Sequence, residues 1–189
     1  MPQSRDERLA LAVDATRHSA LISGADTDPQ SESFKVHLDL MRSVLGCEKR
    51  ILVHPLIFNS PLCGHPHEAR YRRGLRASAR GVIPDASKVR PILEGWWPVQ
   101  LQLVAGALEY EPDFRERIAW QIHDFFISLE PFAEANARTA RLLFYSCLIA
   151  LRLPVKLISI EKASEYAENQ RRYRQQVFMP LMRSQGYLN

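Results

Sequence analysis

Residues 130–141, Glu-Pro-Phe-Ala-Glu-Ala-Asn-Ala-Arg-Thr-Ala-Arg, constrain this chain more than any other stretch, because they set a small-residue turn between an amphipathic run and a strongly apolar one. Ahead of the turn, Phe114, Ile118, Ile122, Phe125, Phe126 and Leu129 fall near one helical stripe. Pro131 disfavours helical backbone at Glu130 and closes that helix. After the turn, residues 140–151 read as a second helix, apolar enough to be central. The start of a helix leaves backbone N–H groups without intrahelical partners and carries about half a positive charge. Ala135, Asn136 and Ala137 would therefore aim donors at an oxyanion, and Arg138 and Arg141, three apart, would reinforce them from one helix face. The plainer alternative is a capped turn between core helices with solvated arginines.

At these residues the chain resembles the Fic family, whose motif is H-P-F-x-(D/E)-G-N-G-R-x-x-R and whose members transfer nucleotidyl groups, commonly AMP from ATP, to protein hydroxyls. Pro131, Phe132, Glu134, Asn136, Arg138 and Arg141 match the pattern. Glu130 stands where the family has its catalytic histidine, and Ala135 and Ala137 stand where it has glycines.

The resemblance extends to both sides. Residues 161–173 look like the helix after the family's core, in which Tyr166 and Asn169 would face the nucleotide base; ordinary packing explains Tyr166 equally well. Residues 69–82, with Tyr71 and Arg72, look like the β-hairpin flap that lies over the motif and holds a target segment by strand addition. Ser19-Ala-Leu-Ile-Ser23-Gly24 is similar to the family's inhibitory motif, (S/T)-x-x-x-E-(G/N), with Ser23 in place of the glutamate, although a plain helix C-terminus at Gly24 accounts for the same letters. In the family that glutamate pairs with the second motif arginine, so the resemblance implies that Ser23 leaves Arg141 unrestrained.

The resemblance also implies the chemistry. The family's histidine deprotonates the attacking hydroxyl, the acidic motif residue holds Mg²⁺, and the turn and arginines hold the polyphosphate. Here Glu130 would be the catalytic position, Glu134 the Mg²⁺ ligand, and Ala135, Asn136, Ala137, Arg138 and Arg141 the phosphate site. Loss of a positioned general base costs about 10²- to 10⁴-fold, so ordinary AMP transfer should be impaired while nucleotide binding persists. A carboxylate, with a reference pKa near 4.3 against about 6.5 for histidine, is the weaker base. At about 4 Å it would also repel a phosphate oxygen by roughly 4 kcal/mol unless a metal lies between them. Glu130 and Glu134, four apart and directed at one pocket, would push each other's pKa values apart and suit acid–base work.

Three readings follow. The first is a divergent Fic-type transferase acting on a nucleotide such as ATP or another phosphorylated substrate, in an AMPylation-like reaction. The second is a catalytically dead Fic-like module that binds a nucleotide, or a protein segment through its flap. The third is repurposed small-metabolite chemistry at the Glu130/Glu134 pair.

Composition bounds these readings. At 189 residues, 46% hydrophobic and 24% charged, the chain is expected to form one mainly α-helical domain over 1–189, with N-terminal helices at about 5–45, a flap at about 64–84 and a core at about 85–178. Helices are expected near 5–22, 32–45, 86–108, 113–129, 138–152 and 161–178, with strands only at 64–84 and Pro180 following the last helix. The longest apolar helical run, 142–151, is bounded by arginines and falls short of the roughly 17–25 residues of a membrane span. Without an export signal, and with three widely spaced cysteines, the expected setting is cytoplasmic with reduced thiols. Cys63, His65 and His67 lack a fourth ligand and a standard zinc spacing. The net charge of +4 gathers in Arg70, Arg72, Arg73, Arg76 and Arg80 and in Arg171, Arg172 and Arg174; without interleaved aromatics, these suit a nucleotide or an acidic protein surface rather than nucleic acid.

Overall fold

A computed structural model of the protein describes residues 3–47, 52–64, 71–73 and 83–188. They are mainly helical, and none of them forms a strand. Helices α1 (Arg5–Ala10), α2 (Ala12–Ser23), α3 (Glu32–Leu45) and α4 (Pro55–Leu62) precede the long α5 (Ala86–Gly106). The motif turn joins α6 (Pro112–Leu129) to α7 (Asn136–Ala150), and α8 (Ala163–Tyr173) and α9 (Met179–Ser184) complete the chain. No described helix is long and apolar enough to cross a membrane.

Helix α7 is the axis of the fold. Every residue from Thr139 to Leu148 is buried, because α6 packs along one side and α2, α3 and α4 close the others. A helix that is apolar all round has no solvated face to offer, so it must be surrounded. Its end is fixed by Arg152 in left-handed backbone and by the Leu153 N–H bonding back to the Leu148 carbonyl at 2.8 Å, after which Pro154 prevents continuation. Helix α5 lies on α6 through Trp96, whose ring stacks on Phe125 at 4.5 Å.

The element boundaries depart from expectation in three places. The stretch expected as one helix over 5–22 breaks at Leu11, where the N–H takes the Arg8 carbonyl at 3.1 Å in a tighter turn. Helix α4 was not expected at all; Pro55 opens it, where its missing N–H costs nothing, and His54 Nδ1 accepts from Leu56 N–H at 3.3 Å. The last helix does not stop before Pro180. A π-helical turn over Arg174–Phe178 carries it into α9, and such wider turns accommodate a residue that cannot donate to the ladder. Pro98 likewise lies inside α5 and does not end it.

Candidate functional site

The turn between α6 and α7 is held from several sides. Glu130 closes α6 in left-handed backbone (φ 46°), its N–H bonding to the Phe126 carbonyl at 3.2 Å. Phe132 is fully buried, with its ring between those of Phe126 and Tyr71. Asn136 locks the loop onto itself: its side-chain oxygen accepts from Phe132 N–H at 2.9 Å, and its side-chain nitrogen donates to the Phe132 carbonyl at 2.8 Å. From α4, Asn59 donates to the Glu134 carbonyl at 2.9 Å and to Thr139 Oγ1 at 3.1 Å. The Asn136 side chain thus shapes the turn, while its backbone N–H stands at the first position of α7.

Ala135 precedes α7 with φ 55° and ψ 16°. A left-handed position is where a glycine is favoured, and an L-residue there costs about 1–2 kcal/mol. The alanine has therefore not abolished the glycine-type conformation. Ala137 is not among the positive-φ residues. Among the described residues no side chain caps the first turn of α7, where backbone amides at a helix start can serve an oxyanion.

The two motif arginines are in different states. Arg138 is half-buried, its Nη1 donates to Ser33 Oγ at 3.3 Å, and burial lowers its guanidinium from the ordinary value. Arg141 is fully buried and engaged by the end of α2: Nε donates to Ser19 Oγ at 2.9 Å, Nη2 to the Ser19 carbonyl at 2.7 Å and also to Ser23 Oγ. Arg141 is thus not unrestrained as expected. Ser23 cannot supply a charge, but the C-terminal end of α2 supplies a carbonyl and the negative end of a helix dipole, with Gly24 (φ 63°) as its left-handed cap. Among the described residues no carboxylate lies within ion-pair distance of Arg141. A buried guanidinium held only by neutral oxygens lacks the compensation that an anion would provide.

Glu130 is directed away from the expected pairing with Glu134. Its carboxylate lies 3.4 Å from Arg174 Nη1 in a largely buried pair, with side-chain exposures of 12% and 3%. Its carbonyl accepts from Arg72 Nε at 2.9 Å, and Arg72 also donates to the Pro84 carbonyl. Glu134 is exposed, and no group of three His, Cys, Asp or Glu residues suited to a metal occurs among the described residues.

Most of the expected flap lies outside the described residues, as do His65 and His67. The part that is described reaches the motif: Tyr71 forms an isolated antiparallel bridge with Phe132, through Arg72 N–H bonding to the Pro131 carbonyl at 3.1 Å.

Sequence reasoning did not anticipate the polar chain behind Arg141. Asp124 Oδ1 lies 2.8 Å from His123 Nδ1, His123 Nε2 lies 2.9 Å from the Tyr166 hydroxyl, and that hydroxyl lies 3.4 Å from Arg141 Nη1. A carboxylate only accepts, so the imidazole proton is assigned to Nδ1; Tyr166 then donates to Nε2 and accepts from Arg141. Burial raises the Tyr166 phenol above its ordinary value, with Arg141 opposing. The available signal was a histidine at position 123 on the buried face of α6. His37 of α3 was missed as well; burial, then Arg138 and Arg141, push its imidazole down to about 3.

Tyr166 and Gln170 line two cavities. One, of about 440 Å³, includes Ile22, Ser128, Arg171 and Arg174 and so adjoins both the α2 end and the Glu130–Arg174 pair. The other, of about 590 Å³, includes Trp120, Asp124, Phe144 and Asn169. Tyr166 thus belongs to both, whereas Asn169 lies only with the larger. Compared with known proteins, the chain matches no protein-family model and no curated protein.

Proposed function

We propose that this protein is a Fic-like binding module in which the start of α7, with Arg138 and the buried Arg141, receives the phosphates of a nucleotide or another phosphorylated molecule, and in which ordinary nucleotidyl transfer is lost. The observation that carries the reading is that, among the described residues, the start of α7 is uncapped and the fully buried Arg141 guanidinium has no carboxylate partner. Polyphosphate supplies what that arrangement lacks, since anions gain from both the helix terminus and the guanidinium donors. In this reading the rest of the molecule extends toward the cavity bordered by Ile22, Ser128, Tyr166 and Arg174, whose Tyr166 hydroxyl lies 3.4 Å from Arg141 Nη1. Support for the family resemblance comes from the contact of Ser19 and Ser23 with Arg141, where the family's inhibitory motif meets its second arginine, and from the Tyr71–Phe132 bridge, where a flap would cross the motif. Continuation of that bridge into a hairpin that docks a target segment is part of the proposal.

Loss of transfer follows from Glu130, whose carboxylate is committed to Arg174 rather than poised as a base. A second reading keeps a slow transferase, because the Glu130 side chain retains 12% exposure and is not sealed from a substrate hydroxyl. The third reading loses its motivation, as Glu130 and Glu134 point to different surroundings. Mg²⁺ usually binds through one or two carboxylates together with substrate phosphates, so the exposed Glu134 suits it only as a companion of bound phosphate.

Calorimetric titration with pyrophosphate, ADP and ATP, with and without Mg²⁺, tests the reading. Binding that weakens by about tenfold or more in Arg138→Ala is expected, as befits a lost charge-assisted contact. Incubation with labelled ATP and a cell lysate should give no product that depends on Glu130. Product abolished by Glu130→Gln would establish the transferase instead, and failure of every phosphate to bind would end both readings.

A further inference from the structure

The larger cavity carries a separate recognition problem. Its walls combine aromatic rings with an unusual carboxylate: Trp120 lies against Phe144 with centroids 4.2 Å apart, Tyr166 stands 6.4 Å from Trp120, and Asp124 borders the same space. The Asp124 side chain is only 15% exposed, and its one ion-pair partner among the described residues is the imidazole of His123. The imidazole Nδ1 serves Asp124 at 2.8 Å, and among the described residues no lysine or arginine lies within ion-pair distance of this sheltered carboxylate. A buried charge in that state calls for an opposite charge.

The remaining charges around the cavity do not supply it. Lys156 is taken by Glu116 at 2.7 Å. Lys162 and Glu165 are both exposed and opposite in sign. Among the described residues, Asp124 is therefore the cavity's sheltered carboxylate without a lysine or arginine partner, and it shares the lining with Trp120 and Phe144.

We propose that this cavity binds a small organic cation, an amine or guanidine on an aromatic or apolar skeleton, with Asp124 as its counter-ion and Trp120 as its stacking face. The volume of about 590 Å³ falls within the usual range for small-molecule sites. Aromatic faces attract a desolvated cation, and most strongly when the ring is an indole. A neutral base or sugar would satisfy the amides of Asn169 and Gln170 but would leave Asp124 without compensation. The inference does not depend on phosphate binding at α7.

Calorimetry on the full chain with tyramine, benzamidine and agmatine, each paired with an uncharged analogue of the same shape, provides the test. At least one cation should bind, its uncharged partner at least about tenfold more weakly, as expected when a buried carboxylate is left unpaired. Asp124→Asn should weaken the cation by a similar factor, Trp120→Leu should weaken it further from the stacking side, and Arg138→Ala should leave it unchanged. Because Asp124→Asn also disturbs His123, the comparison of charged and uncharged ligands on the unmodified protein decides the matter if that variant fails to fold. Equal binding of each pair, no cation binding up to millimolar concentration, or adenosine binding more tightly than every cation would overturn the proposal.

Discussion

The left-handed backbone of Ala135 predicts that replacing it with glycine will stabilise the protein. At φ 55° and ψ 16° the alanine Cβ crowds its own carbonyl, a conformation that costs an L-residue about 1–2 kcal/mol and glycine almost nothing. Glycine also makes the unfolded chain more flexible, which offsets about 0.4–1 kcal/mol of that relief. The net expectation is a gain of roughly 0.5–1 kcal/mol, or a rise in Tm of about 1–4 °C for a chain of this size. Ala137 is the internal control. It lies inside the first turn of α7 and is not among the positive-φ residues, so Ala137→Gly should cost about 0.5–1 kcal/mol. Urea unfolding followed by circular dichroism would give both values from the shift in midpoint at unchanged slope. Opposite signs at two alanines two residues apart would confirm the backbone description. If Ala135→Gly destabilises as Ala137→Gly does, the left-handed turn is not the conformation in solution.

Further expectations concern charge. Ser23→Glu would place a carboxylate on the buried Arg141, stabilising the fold by roughly 1–2 kcal/mol while weakening pyrophosphate binding; thermal denaturation and calorimetry on the same variant measure the two, and tighter pyrophosphate binding would refute the assignment. Glu130→Gln should lower stability by roughly 1–3 kcal/mol in urea, since it withdraws the carboxylate from largely buried Arg174, without reducing phosphate affinity. For His37 the unfolded chain takes up a proton near pH 6.5 and the folded chain only near pH 3, so its contribution is complete above 6.5 and falls by about 1.4 kcal/mol per pH unit below it. His54, also lowered by burial, adds in the same direction. Unfolding midpoints at pH 7, 6 and 5 should decline accordingly, and His37→Asn should flatten the decline; an equally steep decline in that variant would remove His37 as the cause.

The elements that could be read from sequence were those with a long, one-sided apolar period. Phe114, Ile118, Ile122 and Phe125 announced α6, and the run after Arg141 announced α7, since burial on one face or on all faces leaves a direct imprint on residue type. Helix α4 left none, because eight residues holding Pro55 and Pro61 are too short for periodicity and look like a loop. At the site, sequence placed Arg138, Arg141 and Ser23 in one neighbourhood, but it could not show that Arg141 takes a main-chain carbonyl from Ser19. Such carbonyls are identical at every residue. Arg174 gave no signal of its own beside Arg171 and Arg172, because only the π-helical turn determines which of the three turns inward to Glu130.

The reliance of interior guanidinium groups on peptide oxygens has a consequence for how this site can change. Arg72 reaches the carbonyls of Glu130 and Pro84, and Arg141 reaches that of Ser19. These acceptors survive any side-chain replacement that leaves the backbone path intact. Positive charge is therefore anchored around the motif independently of which acidic residues accompany it, and positions 23, 130 and 134 can drift without displacing it.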